Sequence, residues 1–267
     1  MENYSCSNLS FYYGKKCIFD NVSFEIKKGD IVALVGENGS GKTSFLKILG
    51  GIYKIPNFKL NYNVTYMFDK SSFYPYLTGF QNLKYFAYLY KIKNKKIYEV
   101  LQLVGLFNVR NVKFKKYSFG MKQKLALARM LLIESELYLF DEPLNGLDPT
   151  SILKFKEIIN YLSSKNKTIV ISSHILKEIS QYTNKAMLIK NNKIINVDTQ
   201  KYSYYILTIE NFDNDINLEK IGNNEYKYYK IDKINELLKY FVYKNITINK
   251  IRYIENNLED IFLMGLL

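Results

Sequence analysis

The chain has 267 residues, 48% of them hydrophobic, and a formal net charge of +13 from 38 Lys and Arg against 25 Asp and Glu. That length suffices for one large domain, or a main domain with an appendage. No apolar run approaches the roughly 20 residues needed to cross a bilayer, and the N-terminus lacks a signal peptide's apolar core. With two cysteines, Cys6 and Cys17, in no metal-ligand spacing, the chain reads as a cytosolic protein with reduced thiols.

The positive charge is unevenly placed. Residues 201–267 carry nine basic and ten acidic groups, so residues 1–200 hold +14, and the window 79–130 has twelve Lys or Arg against Glu99 alone. A solvated surface, nucleic acid and the anionic inner leaflet of a membrane all suit such a window.

In chain order, residues 7–35 read as short strands with turns at Gly14-Lys15 and Lys28-Gly29-Asp30. Tyr13 is an aromatic able to stack on an adenine ring. The apolar run Ile31 to Val35 leads into Gly36-Glu37-Asn38-Gly39-Ser40-Gly41-Lys42-Thr43-Ser44, and a helix is expected over 42–50, ended by Gly50-Gly51. Strand, glycine-rich loop and helix together form the context of a phosphate-binding loop. Glycines let successive N–H groups point at phosphate oxygens, and the helix N-terminus adds positive partial charge. Lys42 is expected to reach the β- and γ-phosphates, and the Thr43 hydroxyl to ligate Mg²⁺.

Residues 52–63 read as irregular, 64–67 as a strand, and 79–133 as helical with breaks near Asn94 and across 108–116. Leu137 to Phe140 suits a buried parallel strand. Asp141 at its carboxyl end fits a magnesium-holding acid, and Glu142 a general base on the attacking water. A helix over 151–164 and a buried strand over 168–172 follow, then His174, the only histidine, placed to meet a γ-phosphate. A short helix over 175–181 and strands over 186–190 and 193–197 close this part. Beyond residue 200 the pattern changes to strands over 204–209, 225–231 and 246–254 and helices over 232–243 and 258–266. This reads as a small α+β appendage.

The order of loop 36–43, Tyr117-Ser118-Phe119-Gly120-Met121-Lys122-Gln123, Leu137–Glu142, Gly146-Leu147-Asp148 and His174 resembles the ATP-binding subunits of ABC transporters. The variant Ser118-to-Gln123 signature and the ending Leu258 to Leu263 are similar to the bacterial multidrug and bacteriocin-resistance exporters with separately encoded permeases. The resemblance implies an α/β phosphate-loop NTPase of ABC type over residues 1–200. Its core sheet is mostly parallel, with N-terminal antiparallel strands and a helical subdomain at about 79–130; the α+β appendage spans 201–267. It also implies a head-to-tail dimer, of two copies or of two homologues, holding ATP and Mg²⁺ between loop 36–44 of one subunit and Ser118 and Gly120 of the other. Asp148 joins the two sites. The partners implied are a membrane permease and a second ATP-binding subunit, with no nucleic acid, at the inner face of the membrane; the window 79–130 then touches the permease, or its charge sits against anionic headgroups.

Three departures accompany the resemblance. Asp69 stands where the family's loop glutamine is expected, able to orient water or contact Mg²⁺ through water. Phe119 replaces a small signature residue, and segment 52–63 is short. Two other readings exist: a soluble ABC-type ATPase acting on nucleic acid or ribosomes, suggested by the basic surface, and a regulatory subunit with weak hydrolysis, suggested by Asp69.

Overall fold

The computed structural model describes residues 3–56, 58–59, 61–67, 73–173, 179, 182–183, 185–198, 203–210, 212, 216, 218–230 and 233–254. Asp69, His174, most of 175–181 and the segment 255–267 lie outside the described residues. The chain divides into two compact units, Met1–Asn196 and Val197–Leu267.

The first unit opens with a long antiparallel hairpin, β1 (Tyr4–Tyr13) and β2 (Lys16–Ile26), turned at Gly14. These are two strands of ten and eleven residues rather than several short ones. Asn8 (φ 55°) and Asn21 (φ 48°) sit in left-handed backbone, and register shifts after Cys6 and Leu9 absorb them. Such bulges break the strict alternation of a strand without ending it.

A six-stranded sheet forms the centre, in the order β4 (Val64–Met67), β5 (Leu137–Asp141), β6 (Thr168–Ser172), β3 (Ile31–Val35), β7 (Lys185–Lys190), β8 (Lys193–Asp198). Pairs β4–β5, β5–β6, β6–β3 and β3–β7 are all parallel. Their continuous apolar runs, every residue of β5 and β6 being buried, are those of strands covered on both faces. On one face helix α1 (Lys42–Leu49) lies among sheet and hairpin residues in one cluster. Its Phe45 ring meets Phe24 edge-on at 4.9 Å and Phe19 at 6.0 Å. On β5, Phe140 packs edge-on against Phe155 of α5 (Pro149–Ser164), at 5.3 Å. Proline at the first helical position starts α5 two residues earlier than the apolar pattern suggests. Within 52–63 the described residues add only the bridge Ile55–Phe58 to the strands.

Helices α2 (Gly79–Leu89), α3 (Asn94–Leu103) and α4 (Phe119–Leu132) make the helical part, with 3₁₀ turns at Phe107–Val109 and Phe114–Lys116. Thr78 and Gln81 form a reciprocal capping box at the start of α2. Fully buried Asn82 accepts from the Tyr74 N–H and donates to the Tyr74 and Thr78 carbonyls, tying the preceding loop to the helix. Lys91 at φ 55° makes the break between α2 and α3.

The second unit is a four-stranded antiparallel sheet in the order β10 (Glu219–Lys220), β11 (Glu225–Tyr228), β9 (Tyr204–Glu210), β12 (Thr247–Ile254). Helix α6 (Ile234–Tyr243) joins it in a small core of Leu207, Ile209, Leu218, Tyr226, Leu237 and Phe241. The α+β character expected of the appendage is present.

Candidate nucleotide-binding site

Loop 36–41 leaves the carboxyl end of β3 and enters α1 directly. Its shape requires glycine at two positions. A Cβ on Gly36 would lie 2.6 Å from Ser40 Oγ and 2.7 Å from the Ile189 carbonyl. One on Gly41, at φ 116°, would lie 2.8 Å from Ile18 Cγ2. The loop is thus pressed against β7 on one side and β2 on the other, while no atom of the described residues crowds Gly39. Ser40 Oγ is buried, with no hydrogen-bond partner among the described residues. A buried hydroxyl without a partner is costly, and this one sits in a loop of the kind that receives anionic oxygens.

Lys42 is 6% exposed. Its ammonium donates to the Gly36 carbonyl at 2.7 Å and the Glu37 carbonyl at 3.2 Å, and lies 3.7 Å from Glu142 Oε1. The bonds to the loop's own carbonyls hold the lysine over the loop, with its charge facing the carboxylate beyond β5. Thr43 follows at the second helical position, with Ser44 after it.

Asp141 ends β5, opposite Ser172 in the neighbouring β6. Its two carboxylate oxygens are separately held: Ser172 Oγ donates to Oδ1 at 2.7 Å, and Tyr66 Oη donates to Oδ2 at 2.9 Å. The same Ser172 oxygen accepts the Glu142 N–H at 2.9 Å. Glu142 has φ 47°, left-handed backbone that a non-glycine residue enters at a cost of about 1 kcal/mol or more. Ser172, completely buried, therefore positions both acids at once. Neither Ser172 nor Tyr66 stands out in the sequence as a site residue. A serine closing the apolar run 168–172 is a weak signal for the first, whereas Tyr66 carries none, since its role depends on the β4–β5 register.

Hard oxygen donors at Asp141 and Thr43 suit Mg²⁺. Among the described residues no group of three or more His, Cys, Asp or Glu forms a metal cage. That donor set fits an ion held mainly by phosphate and water.

Ser118, Gly120 and Asp148 gather elsewhere. Ser118 caps α4, its hydroxyl accepting from the Met121 N–H at 3.3 Å, so the helix begins at Phe119. A Cβ on Gly120 would lie 3.0 Å from Ser151 Oγ and 3.3 Å from Asp148 Oδ1, and one on Gly146 (φ 70°) 3.1 Å from the Phe119 ring. Hydroxyls of Ser151 and Thr150 hold the Asp148 carboxyl below the usual aspartate range. Tyr13, at the end of β1, is exposed. The structure thus unites Lys42, Asp141 and Glu142 in one cluster, and Ser118, Gly120 and Asp148 in a second.

Residues 19–145 match the family described as ABC transporter. The chain is 32% identical over 229 residues to the lantibiotic transport ATP-binding protein SrtF of Streptococcus pyogenes, covering 82% of this chain and 95% of that protein. It is 32% identical over 289 residues to the bacitracin transport ATP-binding protein BcrA of Bacillus licheniformis, covering 96% and 94%. To the ABC transporter ATP-binding protein YdbJ of Bacillus subtilis it is 35% identical over 197 residues, a match spanning 68% of this chain and 64% of that protein's length. A solved ATP-binding subunit of an ABC transporter superposes with a TM-score of 0.65 at 26% identity, covering 73% of this chain and 89% of the other. A dimeric ATP-binding cassette bound to ADP and Pi superposes at 0.64 and 23% identity, covering 73% and 97%. The chain belongs to the ABC transporter family, as one of its ATP-binding, ATP-hydrolysing subunits.

Proposed function

We propose that this ATPase powers a separately encoded bacterial permease that exports antimicrobial peptides of the lantibiotic or bacitracin kind, in self-protection or release. The observation that carries the catalytic part is the convergence of Lys42 on Glu142 at 3.7 Å beside an Asp141 gripped at both oxygens. The cargo rests on SrtF and BcrA, whose names state transport of those peptides. Disrupting the gene should lower tolerance to such a peptide.

Loop 36–44 takes the phosphates, with backbone N–H groups and Ser40 on their oxygens and Lys42 between the β- and γ-groups. Tyr13 stacks on the base. Thr43 and Asp141 hold Mg²⁺, which neutralises charge on the phosphates when bound. The Glu142 carboxylate accepts a proton from the attacking water as that oxygen bonds to the γ-phosphorus; the bond to the β,γ-bridging oxygen breaks and ADP leaves with its electron pair. His174 and Asp69 are assigned to the γ-phosphate and the water.

We assign the ATPase to residues 1–200, with a helical subdomain at about 79–130, and residues 201–267 to a separate small domain. Ser118 and Gly120 serve the ATP of a second subunit, head to tail, and Asp148 joins the two sites. We assign the permease contact to the groove lined by Ile52, Tyr66, Phe86, Tyr90 and Arg129. The Tyr66 hydroxyl on Asp141 connects that wall to the metal-holding acid. The complex then sits at the inner face of the membrane.

Cysteines at exposed Asn38 and Ser118, with Cys6 and Cys17 changed to serine, test the dimer. ATP should induce a disulfide between chains; no inter-chain product with ATP overturns the head-to-tail arrangement.

A further inference from the structure

Helix α2 has three faces. Leu83 and Ala87 are buried, and Phe86 lines the cavity at Arg129, as does Tyr90 just beyond the helix. Lys84, Tyr85, Tyr88 and Leu89 face solvent at helical spacing, Tyr88 being 83% and Leu89 56% exposed. The turn after α2 and the start of α3 continue the surface with exposed Lys91, Lys93 and Lys95. Among the described residues Lys84, Lys91, Lys93 and Lys95 make no ion pair, whereas neighbouring Lys96 is engaged by Glu99 and Glu134. Four ammonium groups without an ion pair among the described residues therefore share this short stretch with an exposed Tyr-Leu pair, and none belongs to the loop 36–44 cluster.

We propose that this corner of the helical part is a docking surface for anionic phospholipid headgroups. Tyrosine and lysine share the chemistry of the membrane–water interface: the ring and the methylene stem enter the headgroup zone while hydroxyl and ammonium stay hydrated. Leu89 adds a side chain with no polar end, which pure charge attraction has no use for. An acidic lipid surface satisfies all of these groups, and each lysine contributes about fivefold to partitioning near such a surface. The proposal rests on the transporter reading only in that a permease brings the subunit to a membrane; the surface itself belongs to this chain.

The test uses purified full-length protein sedimented with phosphatidylglycerol-containing vesicles, or with phosphatidylcholine alone, at about 0.15 M salt. Binding should require phosphatidylglycerol. Changing Lys84, Lys91, Lys93 and Lys95 to Gln should weaken it at least about 100-fold, from the fivefold per lysine. Changing exposed Lys27, Lys54, Lys59 and Lys165 to Gln should weaken it much less. Tyr88→Ser with Leu89→Ser should weaken binding while leaving its salt dependence unchanged. The proposal is overturned by absence of wild-type binding, by equal losses in the two lysine sets, or by a single-stranded RNA oligonucleotide binding this corner more tightly than vesicles. Phosphate release by the corner variants should equal wild type, so a failed ATPase assay and a failed vesicle assay point to different claims.

Discussion

Ser172→Ala removes one oxygen atom and two hydrogen bonds that serve different acids. Asp141 Oδ1 loses its donor at 2.7 Å but keeps Tyr66 on Oδ2, and the Glu142 N–H loses its acceptor at 2.9 Å. A hydrogen bond to a charged group contributes about 1.5–3 kcal/mol, and a stranded N–H costs about 1–3 kcal/mol. Allowing for the bond that Asp141 retains, a net loss of about 3 kcal/mol is expected. In a unit of this size that lowers Tm by about 6–12 °C. The kinetic effect is separate. With Glu142 as the proposed base, loss of the Ser172 acceptor should loosen its peptide at φ 47° and displace its carboxylate, forfeiting part of the roughly 10²–10⁴-fold that a positioned base supplies. We expect kcat to fall about 10–100-fold with KM for ATP nearly unchanged, since loop 36–44 keeps its contacts. The assay is steady-state phosphate release alongside thermal unfolding. A variant with lowered Tm but kcat within about twofold of wild type would refute the positioning role.

Gly41→Ala forces a Cβ to within 2.8 Å of Ile18 Cγ2 at φ 116°, so stability should fall by about 2–4 kcal/mol and fluorescent-ATP binding should be lost with it. Phe155→Ala empties a fully buried ring site against Phe140 and should cost about 3–5 kcal/mol in urea denaturation. Asp148 has its folded pKa depressed below that of an ordinary aspartate, first by Ser151 and then by Thr150. Its contribution to stability is complete above the unfolded aspartate's pKa and vanishes as pH falls through the lower folded value. The melting temperatures of wild type and Asp148→Asn should therefore differ at neutral pH and converge in strong acid.

The phosphate loop was readable because each of its demands is local: glycines where backbone crowds backbone, a lysine, a hydroxyl, and an apolar strand before them. Buried parallel strands were equally plain, for continuous apolar runs such as 137–140 and 168–172 need no partner to be recognised. The strands β1 and β2 are longer than the sequence pattern suggests, because Asn8 and Asn21 interrupt the alternation yet are accommodated as bulges. β10, of two residues, is too short for a periodic pattern. The roles of Ser172 and Tyr66 stayed hidden for a different reason: both reach Asp141 across strand pairings that exist only once β4, β5 and β6 lie side by side. Sequence spacing of 31 and 75 residues conveys none of that.

We propose Glu142 as the base in a site completed by a second subunit. Glu142→Gln keeps the size of the side chain and removes its ability to take a proton. With ATP and Mg²⁺ the variant should release almost no phosphate and elute as a dimer retaining bound ATP. Unchanged phosphate release, or a monomer with ATP bound, would contradict that role for Glu142.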